Sequence, residues 1–122
     1  MKRQNKKSVG FLGEEIAVNY LTSLGYKIIE RNFKKRYGEI DIIAEDAGTL
    51  VFIEVKTRSD DLFGGAEESI TSWKIHSLIN CADFYKYLHP DLPEAMRIDV
   101  VTVRLTPQGK VQQIKLFKNI SG

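Results

Sequence analysis

The chain has 122 residues, 43% of them hydrophobic and 28% charged, with a net charge of +2. That is one soluble domain with room for a proper core, and no apolar run approaches the ~20 residues of a membrane span. The basic start lacks the apolar segment of an export signal and the lone Cys81 cannot form an internal disulfide, so the expected compartment is cytoplasmic and the thiol buried and inert.

Residues 1–7 lack apolar periodicity and read as a flexible basic arm carrying Lys2, Arg3, Lys6 and Lys7. A helix is expected from about Ser8 or Val9 to Leu24, with Ser8 as N-cap and Gly25 as its stop. Its apolar stripe is Ile16, Ala17, Tyr20, Leu21 and Leu24; Glu15 falls opposite and should face water, while Glu14 lies at the stripe's edge and should reach the sheet. A strand over Tyr26–Asn32 follows, then a basic loop with Lys34, Lys35 and Arg36. Two Ile- and Val-rich runs come next, Gly38–Ala44 and Leu50 to about Arg58, with a short Gly-containing spacer that predicts a hairpin. The second run is apolar on both faces at Val51, Phe52 and Ile53, which marks it as central. Residues 59–68 form a polar loop with the pair Gly64-Gly65.

A second helix is expected from about Ile70 to Leu88, burying Ile75, Leu78, Ile79, Ala82 and Tyr85, with Lys74 on the edge of that face. Trp73, Phe84 and Tyr87 fall together away from it and are expected to pack under the C-terminal strands, with a dimer surface as the alternative. Pro90 and Pro93 end this helix, and strands at about 97–105 and 110–117 flank a Pro107-Gln108-Gly109 turn. The order α-β-β-β-α-β-β gives an α/β fold, a mixed central sheet flanked by helices.

Charges interrupt the apolar pattern of the hairpin. Glu54 and Lys56 are two apart and share a strand face, and in-register pairing brings Asp41 to the same spot. With Glu14 from the first helix, several carboxylates converge in a partly dry place, where they cannot all ionise cheaply. A divalent cation resolves that conflict, and all-oxygen ligands suit Mg²⁺ or Mn²⁺. His76 and His89 lack zinc-ligand spacing. Such a metal polarises a phosphate and activates water, while Lys56 orients or deprotonates the water or neutralises the phosphorus centre; the implied chemistry is phosphodiester hydrolysis. Glu39 either joins the site or pairs with a lysine of the preceding basic loop, and Asp99 is expected to pair with Arg97 or a neighbour rather than bind metal.

Gly13-Glu14-Glu15-Ile16-Ala17, Gly25-Tyr26 with Arg31-Asn32, Gly38-Glu39-Ile40-Asp41, Phe52-Ile53-Glu54-Val55-Lys56-Thr57-Arg58, Lys74 and Arg97-Ile98-Asp99-Val100-Val101 carry a resemblance over about residues 9–105. The chain resembles the YraN-type bacterial family within the PD-(D/E)XK, or restriction-endonuclease-like, nuclease superfamily, and its layout is similar to archaeal Holliday-junction resolvases. Ile40 stands where the superfamily has Pro. The resemblance implies Asp41 and Glu54 as metal ligands with the Val55 carbonyl as a third, Glu14 as a helix-borne acid and Lys56 as the catalytic lysine. It further implies a metal-dependent nuclease acting on DNA, with branched or repair intermediates as candidate substrates. The basic cluster Arg31, Lys34, Lys35 and Arg36, together with Arg58 and Lys74, is read from charge and position as nucleic-acid contacts, with solvated charge as the alternative. A weak homodimer is expected. The rival readings are a non-catalytic nucleic-acid-binding module that keeps the fold and a protein-partner domain using the aromatics of the second helix.

Overall fold

The computed structural model describes residues 6–36, 38–59 and 70–121, with side chains from residue 9 onward. The elements run α1 (Lys6–Ser23), β1 (Lys27–Lys35), β2 (Gly38–Asp46), β3 (Thr49–Ser59), α2 (Ser72–Leu88), β4 (Met96–Leu105) and β5 (Val111–Phe117). This is the restriction-endonuclease-like α-β-β-β-α-β-β order expected from the sequence. The side chains of Lys2, Arg3, Lys6 and Lys7 and the 60–69 part of the polar loop, with Gly64 and Gly65, lie outside the described residues.

The five strands lie in chain order in one mixed sheet. Pairing is antiparallel from β1 through β3 and between β4 and β5, and parallel between β3 and β4. The parallel step needs a crossover, which α2 supplies. The β2–β3 turn is tighter than the spacer predicts: Asp46 pairs with Thr49, and Ala47 and Gly48 turn the chain with φ of 48° and 86°. Two consecutive positive φ values match the right-handed twist of the flanking strands.

β3 is central, and its alternation divides the core. Val51 and Ile53 meet Ala17 and Leu21 of α1, joined by Ile42 and Val101, whereas Leu50 and Phe52 meet Leu78, Ala82 and Tyr85 of α2. Cys81 is fully buried in the α2 layer, as expected. Thr71 caps α2, its hydroxyl accepting the Lys74 N–H at 3.1 Å.

Several expectations need correction. α1 begins at Lys6, so Ser8 sits inside it instead of capping it, and Leu24 is exposed past its last turn. β1 continues to Lys35, which places Lys34 and Lys35 on a strand and not in a loop. Trp73 and Tyr87 do not pack under the C-terminal strands; they are 77% and 80% exposed. The reason is the layering: α2 covers one side of the sheet, and among the described residues no further layer packs behind it to bury those opposite Leu78 and Tyr85. Phe84 alone of that trio packs partly against the α2 layer.

Candidate active site

Hydrogen bonding between β2 and β3 stops at the Ile42–Ile53 pair. Beyond it β2 stays with β1 as far as the Lys35–Gly38 pair, and β3 stays with β4 as far as the Ser59–Leu105 pair. The two central strands therefore separate, and the first position past the break is Asp41 on one side and Glu54 on the other. Splaying frees the Val55 N–H from its ladder partner, and the Asp41 carboxylate accepts it at 2.8 Å. A partly buried backbone donor is thereby satisfied by a side-chain carboxyl oxygen.

A second irregularity lies at the same level. Arg31 pairs with Ile42 and Phe33 with Ile40, while the intervening Asn32 and Asp41 are not a ladder pair. Ile42 packs on the α1 side and Ile40 on the α2 side, although residues two apart in a regular strand share a face. Alternation thus breaks at Asp41. Across from it Asn32 adopts φ 55°, a left-handed conformation that Asn tolerates better than most residues.

Burial and the neighbouring Glu54 charge push the Asp41 pKa well above the carboxylate range; the Val55 N–H opposes them, while the hydrogen bond that protonated Asp41 donates to Glu54 and the Glu14 charge push the same way as burial. Glu54 is 4% exposed. Its Oε2 lies 3.6 Å from Lys56 Nζ and 3.4 Å from Lys74 Nζ. The equal face of Glu54 and Lys56 follows from strand periodicity, and Lys74 arrives from the first turn of α2. The structure therefore brings Asp41, Glu54, Val55, Lys56 and Lys74 to one place.

Glu14 stands apart from that pair. Arg31 approaches it at 3.7 Å and makes a closer pair with Glu15 at 2.7 Å. The Asn32 amide, oriented with its nitrogen inward, donates to both Glu14 oxygens at 3.1 and 3.3 Å. Burial raises the Glu14 pKa, Arg31 opposes this, and Glu39 adds to it. Glu15 accordingly does not simply face water, because the long Arg31 side chain reaches round the helix flank. Glu39 pairs with Lys34 across the β1–β2 ladder at 3.9 Å, the second of its two expected positions. Among the described residues no three Asp, Glu, His or Cys side chains gather closely enough to hold a metal ion by themselves.

Of the basic residues, Lys34, Lys35 and Arg36 are exposed at the tip of the β1–β2 hairpin. Arg58 lies half-buried near the end of β3 and donates to the Thr57 carbonyl at 3.4 Å. Because β2 and β3 are antiparallel, both groups occupy the end of the sheet where the strands part. Asn32 is the contributor that residue type and spacing did not single out, and Arg31, read only as part of a basic cluster, turns out to pair with Glu14 and Glu15; the available signal was an Asn where a strand had to leave its regular path.

Asp99, fully buried near the other end of the sheet, accepts from Arg97 Nε at 3.0 Å, from the Tyr26 hydroxyl at 2.9 Å and from the Asn119 N–H at 2.9 Å. Arg97 also reaches Asp46 at 2.7 Å. Asp99 belongs to a satisfied structural network, as expected.

Residues 13–103 match the model of a family described as "Uncharacterised protein family UPF0102". A UPF0102 protein of Mycolicibacterium vanbaalenii is 45% identical over 118 residues, covering 97% of each chain. Relatives with the same description from Mycolicibacterium smegmatis and Mycobacterium tuberculosis are 46% and 42% identical, covering 86% and 89% of this chain and 86% and 87% of theirs. No helix in the described residues is long and apolar enough to cross a membrane. The matched segment holds the parted strands, both acids and both lysines, and the chain belongs to the UPF0102 family.

Proposed function

We propose that this protein is a divalent-metal-dependent nuclease that hydrolyses phosphodiester bonds in DNA, branched or repair intermediates among its substrates. The observation that carries the reading is the parting of β2 and β3 at Asp41 and Glu54, with a half-buried and a buried acid side by side and Lys56 next to them. The donor set fits Mg²⁺ or Mn²⁺: the ligands are oxygens, and two carboxylates leave positions for water and substrate phosphate, as such ions prefer. Asp41 and Glu54 would hold the ion, with the Val55 carbonyl as a further donor. When bound there, it supplies Lewis-acid polarisation of a phosphate oxygen and a water acidic enough to attack.

The chain's own groups do the rest. The Val55 N–H fixes one Asp41 oxygen and orients the other. Lys56, its side chain 22% exposed, sets an ammonium beside the acid pair, where it can neutralise charge developing on phosphorus or steer the attacking water. Glu14, steadied by Asn32 and Arg31, acts at longer range through its charge on Asp41. Lys34, Lys35, Arg36, Arg58 and Lys74 offer phosphate contacts on either side of the scissile bond.

Incubation with branched, single-stranded and duplex DNA in Mg²⁺ or Mn²⁺ tests this. Wild type should cut, and Asp41→Ala and Glu54→Ala should lose more than roughly a hundredfold in rate. No cleavage by wild type, or unchanged cleavage by both variants, overturns the proposal. The rival reading, a binding module without turnover, draws on Glu54 being neutralised by two lysines with no metal needed. It predicts salt-dependent DNA binding and no product in either ion.

A further inference from the structure

Trp73 is the chain's one tryptophan, and it is 77% exposed, although tryptophan is among the most buried residue types on average. It stands in the first turn of α2, directly before Lys74, whose Nζ lies 3.4 Å from Glu54 Oε2. Two close approaches show which side of α2 meets the start of β2. A Cβ on Gly38 would come within 2.6 Å of Ser77 Oγ, and Cys81 Sγ lies 3.8 Å from the Gly38 carbonyl. Ser77 is one helical turn from Trp73 on the same side, so the indole lies on the flank of α2 that faces the start of β2. That start adjoins the hairpin tip bearing Lys34, Lys35 and Arg36. Trp73 therefore occupies the exposed flank of α2 on the Ser77 side, next in sequence to the lysine that reaches Glu54 and near the end of the sheet where the strands part.

From this geometry we propose that Trp73 is a stacking platform for an unpaired nucleobase next to the scissile phosphate. The inference rests on the nuclease reading for its class of ligand and deepens it: the substrate is single-stranded, or has bases splayed out of the duplex. A phosphate between Asp41, Glu54 and Lys56 leaves neighbouring bases within reach of a side chain one residue from Lys74. Exposed aromatic faces beside cationic side chains are how single strands are held without reading sequence, since every base has a π face. A fully paired duplex keeps its bases stacked on each other and offers none to the indole. Trp73 therefore discriminates by strandedness, while the lysines and arginines bind either form through phosphate.

Because Trp73 is the sole tryptophan, its emission reports the contact directly. Titrating an oligothymidylate into the protein in EDTA should quench that emission in a saturable way, and a blunt duplex at equal occupancy should leave it nearly unchanged. Trp73→Ala should weaken binding of a labelled oligothymidylate by about five- to a hundredfold, leave duplex binding within twofold, and keep the thermal midpoint; Trp73→Phe should retain most of the affinity. Equal losses for single strand and duplex, or no quenching at saturation, would overturn the inference. The readouts need neither metal nor turnover, so they separate it from the nuclease reading. Quenching without cleavage keeps the platform and sinks the nuclease, whereas cleavage without quenching sinks the platform alone.

Discussion

Two glycines of α1 should respond in opposite directions to the same substitution. A Cβ added at Gly10 meets nothing within 4 Å, whereas one at Gly13 falls well inside contact with the Oγ1, Cγ2 and Cβ of Thr57. Gly10→Ala therefore gains the helix preference of Ala over Gly, about 1 kcal/mol. Gly13→Ala gains the same amount but forces α1 away from β3 or Thr57 out of its rotamer. Overpacking of this kind costs ~3 kcal/mol at the upper end of its usual range, which three crowded atoms justify, for a net loss of about 2 kcal/mol. For a chain of this length that lowers the thermal midpoint by roughly 8 °C, against a rise of roughly 4 °C for Gly10→Ala. Urea denaturation read by circular dichroism gives both values. Thr57→Ala in the Gly13→Ala background removes two of the three crowding atoms and should recover part of the loss, a coupling that a double-mutant cycle isolates. A Gly13→Ala protein as stable as Gly10→Ala, or one that Thr57→Ala does not relieve, refutes the idea that close approach of α1 to β3 requires glycine.

The site and the buried network give further outcomes. Asp41 has its pKa raised from 3.8 in the folded chain, so between the two values the folded state holds a proton that the unfolded state has released. The stability this proton supplies is complete below the unfolded value and is lost as pH rises through the raised one. In EDTA, denaturation midpoints should fall from mildly acidic to mildly basic pH, and Asp41→Asn should flatten that slope and raise the midpoint at the basic end. The same variant should remove any Mg²⁺- or Mn²⁺-induced rise in thermal midpoint, and wild-type metal affinity by calorimetry should increase with pH as the carboxyls give up protons. Asp99→Ala strands Arg97 and the Tyr26 hydroxyl without their buried acceptor and should cost about 3–5 kcal/mol in urea denaturation.

The order of elements was legible because Ile- and Val-rich runs alternate with Gly and Pro breaks, and because β3 is apolar on both faces. The closeness of Asp41, Glu54 and Lys56 was legible too, since it needs only the two-residue period of a strand and a hairpin in register. What escaped is the way β1 and β2 both leave that period at Asn32 and Asp41. Periodicity assumes regular backbone, and Asn permits a positive φ without demanding one. The Arg31–Glu15 pair escaped for a related reason: a helical wheel assigns the far face to water and ignores a long guanidinium arriving from the next strand. Trp73 and Tyr87 were misjudged because hydrophobicity says that aromatics seek burial but not whether a second layer exists behind the helix.

The arrangement of charge also distinguishes a structural ion pair from a receptive site. A buried structural pair minimises its energy by giving each acid its own cation and no acidic neighbour. Here both lysines lie on Glu54, while Asp41 is held by a backbone N–H and sits against the other carboxyl. The fold maintains that imbalance with some rigour. β3 is tied along its length to β4, β2 is tied to β1, and each half is braced by a helix at the opening, α1 through Gly13 against Thr57 and α2 through Ser77 against Gly38. Closing the strands would restore a ladder partner to Val55 and separate its N–H from Asp41, yet the break at Asn32 and Asp41 turns β2 away from that path. Two acids kept together, with one left short of positive charge, are a costly arrangement for a structural ion pair, and that cost is what supports the proposed cation site.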